Sequence, residues 1–274
     1  MFYYKLIMSA PPYEAIDMDK VYYKPLDRLK QISAQYEINH DHITNLYQLQ
    51  NFEIVCIIDD SGSMNNPIVA NTVNFSEPST RWDELKSKIG IVVDIASCFD
   101  PDGIDVYFLN KQPLKNINKS EQLFNSAQFN TPPAGGTPLA KCLNTVLFDK
   151  KDVVKERNLL IIIATDGEPT DMRGSIDIKG FKDVMNSRDP IDKIFVTFMV
   201  CTEDDDAIEY LNKWDNKMKN IDVVDDYHTE KKQILKSQGK NFPFSMGDYI
   251  AKLMLGSVNS YYDNLDSKKI CNLL

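Results

Sequence analysis

The stretch Glu53-Ile54-Val55-Cys56-Ile57-Ile58-Asp59-Asp60-Ser61-Gly62-Ser63 joins an unbroken apolar run to a cluster of small oxygen-bearing side chains. A continuous run of this length, bounded by turn chemistry, predicts a strand buried on both faces. Outward from it, residues 64–79 hold Pro67, Pro78 and several asparagines and predict a long loop. Thr80 with Asp83 forms a capping-box pattern, and Trp82, Leu85, Ile89, Val92, Val93, Ala96 and Phe99 then recur at helical spacing. A helix that covers the strand is expected there.

The same alternation continues along the chain. Asp100-Pro101-Asp102-Gly103 is a turn, residues 104–109 a second strand, and Pro138 a first helical position ahead of Leu139, Cys142, Leu143, Val146 and Leu147. Residues 159–164 and 194–200 predict further buried strands, 207–214 a helix, 221–224 a short strand, and 246–255 a helix stopped by Gly256. Buried strands alternating with amphipathic helices imply an α/β fold: a doubly wound, mainly parallel sheet with helices on both faces. We read residues 1–50 as an N-terminal extension packing on or flanking the domain, 51–256 as the domain, and 257–274 as a C-terminal tail. In the extension, residues 2–7 offer an edge strand and 26–36 a covering helix.

Asp59, Ser61 and Ser63 follow the carboxyl end of the first strand, Asp166 that of a later one, and Thr137 ends a loop feeding a helix on the same edge. Open doubly wound sheets bind ligands outside those carboxyl ends. Hydroxyls and carboxylates are hard ligands, suited to Mg²⁺ or Mn²⁺ and poor for zinc. Taken singly, Thr137 before Pro138 is a good N-cap and Asp59 a strand-end residue. Taken together, the five predict one cation site whose two carboxylates leave residual positive charge. Asp60 and Glu168 lie beside these ligands, either supporting them or as exposed loop carboxylates.

Asp59-Asp60-Ser61-Gly62-Ser63, Gly135-Gly136-Thr137-Pro138-Leu139 and Thr165-Asp166-Gly167 closely resemble, in order and spacing, the three loops of the metal-ion-dependent adhesion site of von Willebrand factor type A domains. The resemblance runs from residue 52 to at least 200. It implies Ser61 and Ser63 as direct metal ligands, with Asp59, Thr137 and Asp166 direct or bridged by water. Asp60 and residues 82–86 (Trp-Asp-Glu-Leu-Lys) look more like intracellular members than adhesion receptors. One departure stands out: the family has an antiparallel edge strand before the threonine loop, whereas residues 110–133 are mostly Lys, Asn and Gln with a short helical stretch near Gln122, so that strand is expected to be missing or replaced.

The chain has 274 residues and a net charge of −9, with Lys and Arg never gathered on one segment, which disfavours nucleic acid as a partner. No apolar run is long enough to cross a bilayer. Five cysteines form no disulfide framework; Cys56, Cys142 and Cys201 fall in apolar patterns, as free thiols of a reducing interior do. With Met1 to Ala10 lacking a secretory pattern, a cytoplasmic location is expected. Cys271-Asn272-Leu273-Leu274 matches a prenylation pattern at Cys271, with thin basic support from Lys268 and Lys269, so peripheral membrane contact is open. Two sequons, at Asn74 and Asn118, matter only in the secretory pathway. Glu203-Asp204-Asp205-Asp206 reads as negative charge at a helix start, His40 and His42 as solvated surface, and Pro11-Pro12-Tyr13 as linker.

Three functions compete. The leading expectation is a metal-dependent protein-binding module, not an enzyme, that captures an Asp or Glu of a partner through the cation, with the loop 64–79 setting specificity. A Mg²⁺-dependent, phosphatase-like hydrolase with Asp59 as nucleophile is the alternative. It wants a second aspartate where Ser61 stands, and no histidine falls in the metal loops. A metal-stabilised scaffold is the third.

Overall fold

The computed structural model describes residues 18–68, 80–100, 102–202, 204–215 and 217–267, with side chains from residue 27 onward except Asp205. The segments 2–7 and 11–13, Asn74, Glu203, most of the loop 64–79 and Cys271 lie outside the described residues. Strands β1 (Phe52–Ile58), β2 (Ile104–Phe108), β3 (Leu114–Ile117), β4 (Asn158–Thr165), β5 (Ile194–Val200) and β6 (Ile221–Val224) form one sheet in the order β3-β2-β1-β4-β5-β6. All neighbours are parallel except β2 and β3.

Period-two alternation divides the central strands between two apolar cores. Ile54, Cys56 and Ile58 of β1 join Leu160, Ile162 and Ala164 of β4 in one core. Val55 and Ile57 join Leu159, Ile161 and Ile163 in the other. The first is closed by α3 (Arg81–Ala96) and α11 (Met246–Leu255), with Ile234 of α10 (Tyr227–Gln238). The second is closed by α6 (Leu139–Asp149), α8 (Ile178–Asn186) and α9 (Asp205–Asp215). Every residue of β1 is buried, as the unbroken apolar run requires. Thr80 and Asp83 form the expected capping box at the start of α3. Pro138 sits at the N-cap of α6, one place earlier than expected.

Two expectations are corrected on the β2 side of the sheet and in the N-terminal segment. The antiparallel edge strand exists as β3, pairing Ile104 with Ile117 and Val106 with Leu114 across a register irregularity. Its middle residues Lys115 and Asn116 are exposed, and Asn116 adopts φ +58, so only the two ends carry an apolar signal. Short helices α4 (Ser120–Phe124) and α5 (Ala127–Asn130) follow it, burying Leu123 and Phe129. The covering helix expected at 26–36 is α1 (Met18–Gln35), longer at its start.

The N-terminal segment belongs to the first core. Leu29 and Ile32 of α1, Leu46 of α2 (His40–Leu46) and Leu49 are buried there. His42 is not solvated surface: it is buried, its Nδ1 lies 2.7 Å from the Tyr262 hydroxyl, and burial lowers its pKa. Beyond residue 256, α12 (Ser260–Asp263) returns to the same core through Tyr262, and Leu265 follows it. A short helix, α7 (Val153–Glu156), precedes β4.

Gly247 fixes how closely the N-terminal segment approaches α11. A Cβ built there would collide with the Tyr36 carbonyl and the Ile38 side chain. Gly247→Ala is therefore expected to destabilise the fold by about 1–3 kcal/mol, the usual cost of overpacking, and the penalty should be lost in chains truncated before residue 40. Equilibrium urea unfolding measures it; a full-length variant as stable as the parent would show that the contact does not hold.

Candidate metal centre

Three loops meet at the carboxyl edge of the sheet, where β1 leads to β2 on one side and β4 lies on the other. That reversal of strand order opens a crevice at the strand ends. Asp59 still follows the β1 ladder, its N–H donating to the Ala164 carbonyl at 2.9 Å. The first loop is tied to the second by Gly62 N–H to Gly135 O at 3.1 Å and by Ala134 N–H to Asp60 O at 2.8 Å. The second is tied to the third by Thr137 N–H to Thr170 Oγ1 and Thr170 N–H to Thr137 O, both 2.9 Å. Gly135, at φ +101, packs against the Asn110 side chain where a Cβ would collide with it, so glycine suits the position on both counts.

Four of the five expected ligands are linked by hydrogen bonds. Asp59 Oδ1 accepts from Ser61 N–H at 3.0 Å, Ser61 Oγ lies 3.0 Å from Ser63 Oγ, and Ser63 Oγ donates to Asp166 Oδ1 at 2.8 Å. Asp59 and Asp166 are both buried. Thr137 is also buried and is held at the crevice by its backbone, while its hydroxyl stands outside that hydrogen-bonded chain. The donor set is hard oxygen throughout, which fits Mg²⁺ or Mn²⁺.

Electrostatics point the same way. Burial, and then the charge of Asp166, push the Asp59 carboxyl up to about 6. Hydrogen bonds from Ser61 and Thr165 oppose the rise; Thr165 Oγ1 donates to Asp59 Oδ2 at 2.7 Å. Two carboxylates buried side by side call for positive charge. Part of it comes from Arg81, at the first turn of α3, whose guanidinium lies 2.7 Å from Asp166 Oδ2.

Of the two readings left open for Asp60, the exposed one does not hold: it is fully buried, and its partners are Asn110 and Lys111. Its Oδ1 accepts from Asn110 N–H at 2.8 Å and from the Asn110 amide at 3.2 Å, and Lys111 Nζ is 3.6 Å from its Oδ2. Burial raises its pKa. Asn110 Nδ2 also donates to Gly136 O at 2.9 Å, so Asp60 braces the end of β2 against the threonine loop. Glu168 is half-buried, and its charge with that of Asp59 helps to raise the Tyr210 hydroxyl, after burial. Asp204 and Asp206 are exposed at the start of α9, where negative charge favours the helix.

Sequence reasoning missed Arg81, Thr170 and Asn110, and gave no role to Thr165, which it had quoted within the third loop. An arginine at a helix start reads as surface charge, and nothing local tells that it reaches a carboxylate 85 residues away. Beside Arg81 a cleft of about 300 Å³ is lined by Glu84, Thr202, Asp204, Asp226 and His228.

No family model matches the chain, and no curated protein matches it. Among solved structures it is similar to the PilB minor pilin from Streptococcus sanguinis, at 14% identity and a TM-score of 0.46 over 70% of this chain and 63% of that one. The chain thus matches less than two thirds of the pilin's length, and a likeness at that level decides neither family nor function.

Two outcomes are expected of the metal-free protein. Arg81→Ala should cost about 3 kcal/mol in urea unfolding, because it leaves a buried carboxylate uncompensated; a loss within error would place Asp166 in contact with solvent. Asp59 has a folded pKa above its unfolded one, so its stabilising effect is complete below pH 4 and is lost as pH rises to about 6. In EDTA, Asp59→Asn should flatten that fall, and an unaltered pH profile would remove Asp59 as its cause.

Proposed function

We propose that this chain is a von Willebrand factor type A-like domain, doubly wound, that holds Mg²⁺ or Mn²⁺ at the loops around Asp59, Ser61, Ser63, Thr137 and Asp166 and binds a protein partner through it. The observation that carries the reading is the hydrogen-bonded chain Asp59–Ser61–Ser63–Asp166, which joins the ends of β1 and β4. The antiparallel strand β3, in the place the resemblance leaves for it, adds support.

When bound, such a cation supplies a Lewis-acidic position for a carboxylate from another molecule, here an Asp or Glu of the partner. Ser61 and Ser63 present neutral oxygens, so the ion is not fully neutralised by the chain itself. Asp59 is held by Ser61 N–H and Thr165 Oγ1, one on each carboxylate oxygen. A carboxylate so engaged is a poor nucleophile, and we therefore read binding rather than turnover. Asp60, Asn110 and Lys111 keep the threonine loop in place. Among the described residues no helix is long and apolar enough to cross a membrane.

Calorimetry with Mg²⁺ should show uptake that disappears in Asp166→Ala and Ser63→Ala. Partners captured in Mg²⁺ should be released by EDTA and absent from the Asp166→Ala pull-down. Recovery of the same partners with and without chelator would sink the proposal, and phosphoester turnover lost in Asp59→Asn would replace it with the hydrolase.

A further inference from the structure

At the opposite edge of the sheet from these loops, the end of α9, the start of β6 and α12 bring Asp215, Asp222 and Asp263 together, with ligand oxygens all within 4.8 Å of one another. Asp222 is 2% exposed, and its Oδ2 has no hydrogen-bond partner among the described residues. Asp215 Oδ1 is buried without one as well. Unsatisfied carboxylate oxygens inside a protein are costly, so two in one cluster call for a ligand.

Another acidic trio in this chain shows how such a group is satisfied without a ligand. Glu53, Asp100 and Asp102 also lie close together, but Arg157 pairs with Glu53 at 3.1 Å, Asp100 at 2.8 Å and Asp102 at 3.8 Å. Around Asp215 and Asp222 the cation at hand is Lys252, fully buried on α11. Its charge acts on both aspartates, but its close contacts are with other groups: it donates to Tyr262 O at 3.2 Å and lies 3.4 Å from Glu230 and 3.7 Å from Asp266. Among the described residues neither Asp215 nor Asp222 has an ion pair with it. Gly256 leaves the room that Asp222 occupies, since a Cβ there would overlap the carboxylate.

We propose that Asp215, Asp222 and Asp263 form a second cation site, one for Ca²⁺, which ties α9 and β6 to α12. Three carboxylates are hard, anionic ligands, and oxygens on one Ca²⁺ at about 2.4 Å can stand up to about 4.8 Å apart, so the ion spans this cluster as it lies. The smaller Mg²⁺ demands a tighter octahedron. Burial, then the charges of Asp222 and Asp263, raise Asp215 to about 7; burial raises Asp222 to about 6, opposed by the charge of Lys252 and helped by that of Asp263. The site is independent of the loops at the other edge.

The test is calorimetric titration of Ca²⁺ into the EDTA-stripped full chain, alone and with Asp59→Asn plus Asp166→Asn, which disables the first site. Uptake should persist in that background and raise the melting temperature. It should weaken at least tenfold when Asp222→Asn or Asp263→Asn is added; the latter removes a ligand without touching the sheet, and circular dichroism verifies the fold of each. No Ca²⁺ uptake in that background at millimolar concentration, or uptake indifferent to both changes, would overturn the site. Carboxamide variants more stable than the parent in EDTA, with no response of the parent to Ca²⁺, would show instead that the aspartates share protons.

Discussion

Two carboxylates, Asp59 and Asp166, are buried next to each other at the ends of adjacent parallel strands, and much of the loop architecture answers that repulsion. Adjacency follows from the register: Ile58 pairs with Ala164, which sets Asp59 level with Thr165 and one residue short of Asp166. The compensation is drawn from four places, namely the Ser61 backbone, the Thr165 hydroxyl, the Ser63 hydroxyl and the Arg81 guanidinium. Arg81 reaches the site because Thr80 and Asp83 fix where α3 begins. A helix cap thereby sets a positive charge against a carboxylate at the end of a distant strand.

Buried charge is handled in two ways elsewhere in the molecule. At the foot of β1, Glu53 enters the sheet only because Lys150 and Arg157 meet it, and Lys150 reaches Asp105 at 2.6 Å as well. That network fastens the amino ends of β1, β2 and β4. The N-terminal helices are fastened similarly, with Asn39 N–H donating to Asp248 Oδ1 at 2.8 Å and the His42 ring beside Tyr262. Around β6 the balance is different, with acids outnumbering bases in a half-closed cluster.

Elements buried on both faces were legible because their signal is local. β5, β6 and α11 fall where the residues predict them, since Ile194–Val200 is almost wholly apolar and Ile221–Val224 and Met246–Leu255 are mostly apolar with clear stops. Helices with one narrow buried stripe were not. α8 buries only Phe181 and Met185, and α10 only Glu230 and Ile234, too few apolar positions to show a period among lysines and glutamines. β3 escaped for a related reason: an edge strand needs only one partner and exposes its centre.

From its residues alone this chain determined an α/β layering and three loops of hard oxygen donors, because apolar periodicity and ligand chemistry are properties of short segments. Tertiary structure decided which of those oxygens meet. Asp60 looked like a neighbour of the site and became its brace, His42 looked solvated and is core, and Arg81 and Thr170 entered from outside any motif. The reason is physical: a side chain's partner across the fold depends on register and helix position, which long-range packing sets and no local window contains.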